Sequence, residues 1–488
     1  MSSGNQRPSI LKRMSIVGGL SSAAPKAKPP APAPSPPRLG PDASIEERRA
    51  QFPAQWPRDA RDHFPDTPQG ELELKKGIVV SEAMRVDAGN GYLLNFATMT
   101  QRGHYPSDPD KRNQDAYFVK TDWLGQGTHL FAVFDGHGPH GTECAEFARD
   151  NVPALLQQSL KINGTADEAA VRESFRDAHV VTNERLSTSG IDDMYSGTTA
   201  ISVFCDRGTL YVSNVGDSRT MLGTATEDGG VGCEALSFDH TPYRSDERER
   251  VKQQGARVLS FDQVHGRRPL GESWDVKLGE EVDDVGDPPR VWDDSLETPG
   301  TAFTRSIGDS VAETLGIFAE PEVFTHDLKP SDRVIIVASD GVFEFLTMKQ
   351  CVEIAMLYDD PEQAARALVG EAYKMWITRE LRSDDITIVV AYVEPPSLER
   401  RDSTSVNSPV DTADNVDPAK SPRRASGSFY ADENNGSPEP RRRSTGGPNG
   451  GADVVEIALD EGPVVNFKRD LRRLMLQCSS FCDANAAY

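Results

Sequence analysis

Short apolar runs that begin or end at an aspartate constrain the fold of this chain more than any other feature of its sequence. Three runs, each long enough for one buried strand, are followed by an aspartate beside a glycine, and two others are preceded by an aspartate. These aspartates are Asp135 (after 131–134), Asp217 (after 210–215), Asp340 (after 333–338), Asp115 (before 116–119) and Asp384 (before 386–393). A single Asp-Gly pair is also a common hairpin turn, so the recurrence carries the argument. Because the end of one antiparallel strand lies beside the start of its neighbour, the five aspartates are predicted to gather at one edge.

Carboxylates that gather in this way predict a bound cation. They repel one another unless a positive charge lies among them. Hard oxygen ligands supplemented by water suit Mg²⁺ or Mn²⁺ rather than zinc. Gly136 and His137 directly follow Asp135, so an imidazole shares a turn whose glycines let a ligand come close.

Charge and cysteine usage exclude several classes of protein. The chain has 488 residues and a formal net charge of -23, whereas a nucleic-acid-binding protein would show a basic patch. No apolar run is long enough for a transmembrane span. The six cysteines contain no Cys-x-x-Cys pair, which suits a reducing compartment. We therefore predict a cytoplasmic protein, with the nucleus as an alternative.

Composition divides the chain into four segments. We predict a disordered leader at 1–70, a folded domain at 85–395 with an acidic insertion at 261–300, a disordered tail at 396–451, and a C-terminal segment at 452–488. The first 41 residues lack acidic side chains, as in organelle transit peptides, but prolines there disfavour the amphipathic helix that such peptides form.

Two features of the C-terminal segments suggest regulation. Arginine runs precede Ser426 and Ser444, as basophilic kinases prefer, and Ser15 in the leader is a third candidate. A basic amphipathic helix is predicted at 464–481. Its apolar face would dock back onto the acidic domain, lie on a membrane surface or bind a protein partner; these alternatives remain open.

Helical periodicity places helices between the predicted strands. The predicted spans are 143–160, 166–187, 245–254, 347–357 and 361–378. Pro153 is awkward inside the first span, so two helices or one kinked helix are the alternatives.

Seven motifs, taken in their order along the chain, resemble those of one protein family. They are Phe134-Asp-Gly-His-Gly138, Ser196-Gly-Thr-Thr-Ala200, Gly216-Asp-Ser-Arg219, Asp239-His-Thr-Pro242, Thr304-Arg-Ser-Ile-Gly-Asp309, Ser339-Asp-Gly341 and Asp384-Asp-Ile-Thr387. Together they resemble the metal-dependent (PPM, type 2C) Ser/Thr protein phosphatases over residues from about 85 to 395. The resemblance implies an α+β fold, a β-sandwich of two antiparallel sheets flanked by helices on both outer faces.

The resemblance also implies a site for two Mg²⁺ or Mn²⁺ ions. Asp135 would bridge the two ions, and the carbonyl of Gly136 would complete the shell of one. Asp340 and Asp384 would hold the other ion, and Asp115 would hold metal-bound waters.

Further residues match the family's acid and its third metal site. His137 would be the general acid that protonates the leaving alkoxide, and Thr199 matches a residue near that acid. Asp217 would bind a third ion, although a turn residue paired with Arg219 is an equal alternative.

The sequence departs from the family pattern at three positions. Asp110 stands where an arginine usually grips phosphate, so Lys111 and Arg112 are the nearest cations, and we predict that Lys111 takes the role. Gln114 replaces a frequent glutamate and could still order a water. Asp385 replaces the usual asparagine, and its added charge is expected to tighten metal binding.

Other residues in the motifs have structural interpretations. We predict that Asp239, His240 and Arg305 fix loops and that Asp309 caps a turn.

The sequence thus predicts a monomeric, metal-dependent phosphatase of phosphorylated proteins that hydrolyses phosphoserine and phosphothreonine with a metal-activated water. A catalytically weak or dead domain that serves as a binding module is the alternative from another class. Hydrolysis of a small phosphorylated metabolite is the other alternative, which the insertion at 261–300 disfavours.

Overall fold

The computed structural model describes residues 78–271, 274 and 287–396. The predicted leader, the tail with its serines and the basic helix at 464–481 lie outside these residues and stay predictions. Among the residues described, no helix is both long and apolar enough to cross a membrane.

Seventeen strands form two large antiparallel sheets and one small one within the described ranges. Numbered along the chain, the first nine are β1 (Ile78–Val80), β2 (Met84–Gly89), β3 (Tyr92–Gln101), β4 (Asp115–Thr121), β5 (Thr128–His137), β6 (Gly197–Thr198), β7 (Ala200–Asp206), β8 (Thr209–Val215) and β9 (Arg219–Ala225). The others are β10 (Val231–Ala235), β11 (Arg257–Leu259), β12 (Arg290–Trp292), β13 (Pro299–Thr301), β14 (Ile307–Gly308), β15 (Glu322–Asp327), β16 (Asp332–Ala338) and β17 (Ile386–Glu394).

The two large sheets face each other as a sandwich. The first has the order β1-β3-β17-β16-β9-β10, with β2 also paired to β3, and the second has the order β14-β6-β5-β7-β8-β15, with β4 paired to β5. Side chains from both sheets share one core, in which the rings of Phe96 and Phe131 lie 4.9 Å apart edge to face. The predicted fold class is therefore confirmed.

Strand β16 shows why the central strands read as continuous apolar runs. Ile335 and Val337 point into the core between the sheets, whereas Val334 and Ile336 point to the opposite face, where helices cover them. Side chains alternate along a strand, so a strand buried on both faces needs apolar residues at every position.

Eight helices are described, numbered α1 to α8 along the chain. They are α1 (Gly141–Asn163), α2 (Glu168–Leu186), α3 (Ser245–Gln253), α4 (Phe261–Val264), α5 (Ser310–Glu313), α6 (Asp340–Phe343), α7 (Met348–Ala355) and α8 (Pro361–Glu380). Helices α1 and α2 cover the outer face of the second sheet, and α6, α7 and α8 cover that of the first. Helix α1 runs through Pro153 as one assigned helix, so the two-helix alternative was wrong.

The predicted insertion at 261–300 differs from a surface loop. It begins with α4 and ends with β12 and β13, which pair with each other, while β12 also pairs with β11. Val291 is fully buried in a cluster of its own with residues of α3 and α5. Strands of only three residues, in a segment rich in Pro and Asp, are too short to show a periodicity in the sequence that could reveal them.

The pairing of the strands brings the predicted aspartates to one edge of the sandwich. Asp115 opens β4 directly opposite Asp135 near the end of β5. Asp340 follows β16 and Asp384 precedes β17, and these two strands are antiparallel neighbours. Asp217 follows β8 in the other sheet.

Candidate active site

A pocket of about 360 Å³ opens at the edge where the aspartates meet. Five of the predicted metal ligands line it together with the predicted acid and the predicted phosphate-binding lysine: Asp135, Gly136, Asp217, Asp340, Asp384, His137 and Lys111. The structure thus brings together residues that are up to 273 positions apart, from 111 to 384.

Burial, with mutual repulsion second, raises the pKa values of the carboxyl groups at this edge. Burial, followed by the charge of Asp385, raises the pKa of Asp115 to about 8. Burial and neighbouring aspartates raise the pKa values of Asp135 and Asp340 well above the usual range. Burial and then Asp239 raise the pKa of Asp217 to about 6. Such a cluster holds protons at neutral pH unless a cation replaces them.

The donor set fits a hard divalent cation. Oδ2 of Asp115 accepts a hydrogen bond from the hydroxyl of Ser339 at 2.8 Å, whereas its Oδ1 is buried and finds no hydrogen-bond partner among the described residues. A buried carboxylate oxygen without a donor is unfavourable, and a cation or its bound water would satisfy it. In the described part of the chain, no three acidic, histidine or cysteine side chains are arranged so that they could hold a metal ion by themselves. Mg²⁺ usually keeps several waters and binds few carboxylates.

Close backbone packing requires glycine at the turn that carries the acid. A Cβ at Gly136 would lie 2.1 Å from the carbonyl oxygen of Gly141, and Gly138 has a φ of +82°. Gln114 braces the turn, because its Nε2 donates to the carbonyl of Gly138 at 2.8 Å. The side-chain amide of Gln114, for which the sequence predicts a role in ordering a water, thus bonds the backbone carbonyl of Gly138.

His137 is held by a residue that the sequence did not reveal. Its Nε2 lies 2.6 Å from Oδ2 of Asp309, and its ring centroid lies 4.4 Å from that of Phe303. Burial lowers the pKa of His137, but the charge and hydrogen bond of Asp309 outweigh it, so the pKa is raised overall. A raised pKa favours the protonated imidazole, which is the form that a general acid needs.

The predicted capping role of Asp309 was wrong. Asp309 precedes α5 in a left-handed conformation, with a φ of 55°, and its side chain makes no capping hydrogen bond. Its Oδ2 instead accepts from the hydroxyl of Ser306 at 2.6 Å and contacts His137. Nothing in the sequence separates a capping aspartate from one that reaches a histidine 172 positions away.

The two candidate phosphate-binding cations lie in different places. Lys111 lines the pocket, and its Nζ lies 3.9 Å from the ring centroid of Tyr105. Arg112 instead forms ion pairs with Glu143 at 3.0 Å and Glu146 at 3.4 Å on the exposed side of α1. The geometry supports Lys111 and does not support Arg112.

Arg290 is a second cation of the pocket that the sequence did not single out. It begins β12 and lines both the pocket and an adjoining groove of about 290 Å³. Its Nη1 donates to the carbonyl of Gly300 at 2.8 Å, and its guanidinium lies 4.9 Å from the ring centroid of Phe261. Composition placed Arg290 in a loop, so only the fold assigns it to the pocket.

Asp217 and Thr199 both line the pocket. Arg219 donates to both carboxylate oxygens of Asp239, at 2.9 and 2.5 Å, while Asp217 lines the pocket and the groove. This arrangement favours a ligand role for Asp217. Oγ1 of Thr199 accepts from the backbone amide of Asp135 at 3.0 Å, and Thr199 lines the same pocket as His137.

Loop-fixing roles suit His240 and Arg305, as predicted. Nδ1 of His240 accepts from the amide of Gly216 at 3.1 Å, beside Asp217. Arg305 donates to the buried carboxylate of Glu247 at 2.7 Å. Neither residue lines the pocket.

Comparisons with known proteins agree with this geometry. The sequence model of the family described as protein phosphatase 2C matches residues 120–379. "Probable protein phosphatase 2C 35" of Arabidopsis thaliana is 44% identical over 306 residues, which cover 62% of this chain and 85% of that protein. "Probable protein phosphatase 2C 64" of Oryza sativa subsp. japonica is 32% identical over 330 residues, covering 66% and 70%.

A solved structure shares the fold. The crystal structure of serine-threonine phosphatase 2C from Toxoplasma gondii superposes with a TM-score of 0.51 at 20% identity, covering 65% of this chain and 99% of that one. With the matched family sequence, the relatives and the two-sheet architecture in agreement, the chain belongs to the protein phosphatase 2C family.

Proposed function

We propose that this protein is a Mg²⁺- or Mn²⁺-dependent protein serine/threonine phosphatase. The observation that carries the proposal is the cluster of half-buried carboxylates at one sheet edge, beside a histidine and a lysine in the same pocket. Two ions would be held by Asp135, the Gly136 carbonyl, Asp340, Asp384 and, through water, Asp115, and Asp217 would support a third. When bound, such cations lower the pKa of a coordinated water to near neutrality and neutralise the phosphate.

The chain's own residues divide the remaining work. Lys111 and Arg290 approach the pocket from different elements and would bind the phosphate oxygens of the substrate. Lys111 acts as a point charge, whereas the planar guanidinium of Arg290 can donate two parallel hydrogen bonds. His137 would give its proton to the leaving serine or threonine oxygen, which is too basic to depart as an alkoxide. Asp309 orients the imidazole for that transfer.

Hydrolysis of a phosphothreonine peptide by the full chain tests the proposal. We expect activity with Mn²⁺, none with chelator, and a loss of at least about 1,000-fold in Asp340→Asn, which removes a charge on which the cations depend. Asp150→Asn is the matched control, because this exposed carboxylate on α1 pairs with its neighbour Arg149 and does not line the pocket. It should keep the activity of the unaltered protein.

Two other results would replace the proposal. Bound Mn²⁺ without hydrolysis of any phosphopeptide would favour the binding-module alternative. Faster hydrolysis of small phosphate esters than of phosphopeptides, compared by kcat/KM, would favour a metabolite substrate. Phosphorylated proteins as substrates, a monomeric state and a cytoplasmic location remain part of the proposal.

A further inference from the structure

The loop that carries Lys111 is fastened along its start to the segment that carries Asp384. The amide of Gly103 donates to Oδ1 of Asp385 at 2.6 Å. The amide of His104 donates to the hydroxyl of Ser383 at 2.8 Å, and the amide of Ser383 donates back to the carbonyl of His104 at 3.0 Å. Residues 103–105 and 383–385 thus behave as one unit.

The contacts of Asp385 give a reason for an aspartate at a position where the family usually has an asparagine. Its Oδ1 accepts from Gly103, and its Oδ2 accepts from the amide of Gln114 at 2.8 Å. A carboxylate can accept at both oxygens, whereas an asparagine amide can accept at only one. Asp385 therefore faces backbone amides rather than the pocket, and its influence on a metal would be indirect.

Tyr105 joins the two functional side chains of the unit. Its hydroxyl donates to Oδ1 of Asp384 at 2.7 Å and accepts from the amide of Asp385 at 3.2 Å. The Nζ of Lys111 lies over the face of the same ring, 3.9 Å from its centroid. One side chain thus contacts a predicted metal ligand and the predicted phosphate-binding cation.

We propose that Tyr105 is a positioning residue that holds Asp384 for the metal and Lys111 for the phosphate of the substrate. This inference rests on the proposed function. Oδ1 of Asp384 accepts from the hydroxyl of Tyr105 and from the amide of Asp385 at 2.9 Å, which together fix the rotamer of Asp384 and leave its other oxygen for a cation. The ring holds the ammonium group of a flexible side chain, which would otherwise lose rotamer freedom when it binds phosphate.

The two contacts can be separated by substitution in the full chain. Tyr105→Phe removes the hydroxyl but keeps the ring, Tyr105→Leu removes both, and Lys111→Gln removes the cation alone. Tyr392→Phe is the matched control, because the hydroxyl of Tyr392 bonds the carbonyls of Ala355 at 2.6 Å and Tyr358 at 2.7 Å. It removes a comparable hydroxyl away from the pocket.

Two readouts are needed: Mn²⁺ affinity by calorimetry and KM for a phosphothreonine peptide at saturating Mn²⁺. We expect Tyr105→Phe to weaken Mn²⁺ binding about tenfold with KM unchanged. Lys111→Gln should raise KM with Mn²⁺ affinity unchanged. Tyr105→Leu should weaken Mn²⁺ binding equally and also raise KM about threefold. Tyr392→Phe should alter only the melting temperature.

Several results would overturn the inference. Unchanged Mn²⁺ affinity in Tyr105→Phe, or an equal loss in Tyr392→Phe, would remove the role toward Asp384. Equal KM values in Tyr105→Phe and Tyr105→Leu would remove the role toward Lys111. If the unaltered chain hydrolyses no phosphopeptide, the proposed function fails, and calorimetry of the same variants still decides the Asp384 contact.

Discussion

At the scale of single residues, the contact of Asp309 with His137 should control only the part of the reaction that needs an acid. Asparagine at position 309 keeps the shape but removes the charge that favours the protonated imidazole. We expect Asp309→Asn to lower kcat on a phosphothreonine peptide about 100-fold. The loss on p-nitrophenyl phosphate should be much smaller, because its leaving group departs without a proton.

A second buried aspartate beside the same turn provides the control for this prediction. Asp193 accepts from the hydroxyl of Ser310 at 3.0 Å, whereas the carboxylate that contacts His137 is that of Asp309. Asp193→Asn should affect both substrates equally. An equal loss on both substrates in Asp309→Asn would show that Asp309 supports the fold rather than the proton transfer.

Substitutions of the neighbouring cations Lys111 and Arg112 should have different effects on KM. Lys111→Gln removes a charge from the pocket, so KM for a phosphopeptide should rise about tenfold. Arg112→Gln breaks only exposed ion pairs with Glu143 and Glu146, which contribute little, and should leave KM and kcat unchanged. A larger effect of Arg112→Gln on KM would return that residue to the phosphate site.

Residue patterns revealed the candidate metal ligands of this site better than the residues that contact them. Asp135, Asp340 and Asp384 could be predicted because each lies at or next to the end of a strand whose apolar pattern is strong. Asp309 follows a strand of two residues and Arg290 begins a strand of three, and periodicity carries no information over so few residues. Their contacts are set by tertiary packing across long sequence separations.

At the scale of elements, long helices and strands followed from the sequence, while the small sheet did not. Helix α8 was predicted at 361–378 and observed at Pro361–Glu380, because Asp360 and Pro361 mark its start in the sequence. Strand β12 is buried through Val291, which packs with residues of α3 and α5, and through Trp292, whose ring meets that of Phe261 in α4. Only the folded chain supplies that partner surface.

Glu247 links helix α3 to the segment before β14, and its ion pairs should stabilise the fold in a pH-dependent way. Its side chain is 2% exposed and accepts from Arg305 at 2.7 Å and Arg250 at 2.6 Å. Burial raises its pKa, but the hydrogen bonds of Arg305 and Arg250 outweigh it and hold the pKa well below the usual 4.5. A lowered pKa contributes stability above the unfolded value, and this stability is lost as the pH falls from 4.5 toward the folded value.

We therefore expect Glu247→Gln to lower the free energy of unfolding at neutral pH by about 3 kcal/mol. The difference from the unaltered protein should shrink below a pH of about 4.5 in urea titrations. Glu249→Gln, on the exposed face of the same helix, should change stability by less than about 0.5 kcal/mol at any pH. A difference for Glu247→Gln that does not depend on pH would contradict the role of its charge.

At the scale of the whole molecule, repulsion within the carboxylate cluster should lower the stability of the metal-free protein. Charge repulsion among Asp135, Asp217 and Asp340 opposes folding until a cation binds. We expect Mn²⁺ to raise the melting temperature of the unaltered protein, because it binds the folded state alone. Asp340→Asn should raise the melting temperature of the metal-free protein by about 3 °C while it abolishes hydrolysis and most of the Mn²⁺-induced shift.

Differential scanning calorimetry with and without chelator measures both melting-temperature effects, and Asp150→Asn is the variant that should change neither. If metal-free Asp340→Asn melts at a lower temperature than the metal-free unaltered chain, the Asp340 carboxylate stabilises the fold. The prediction that its charge serves function at the expense of stability would then be wrong.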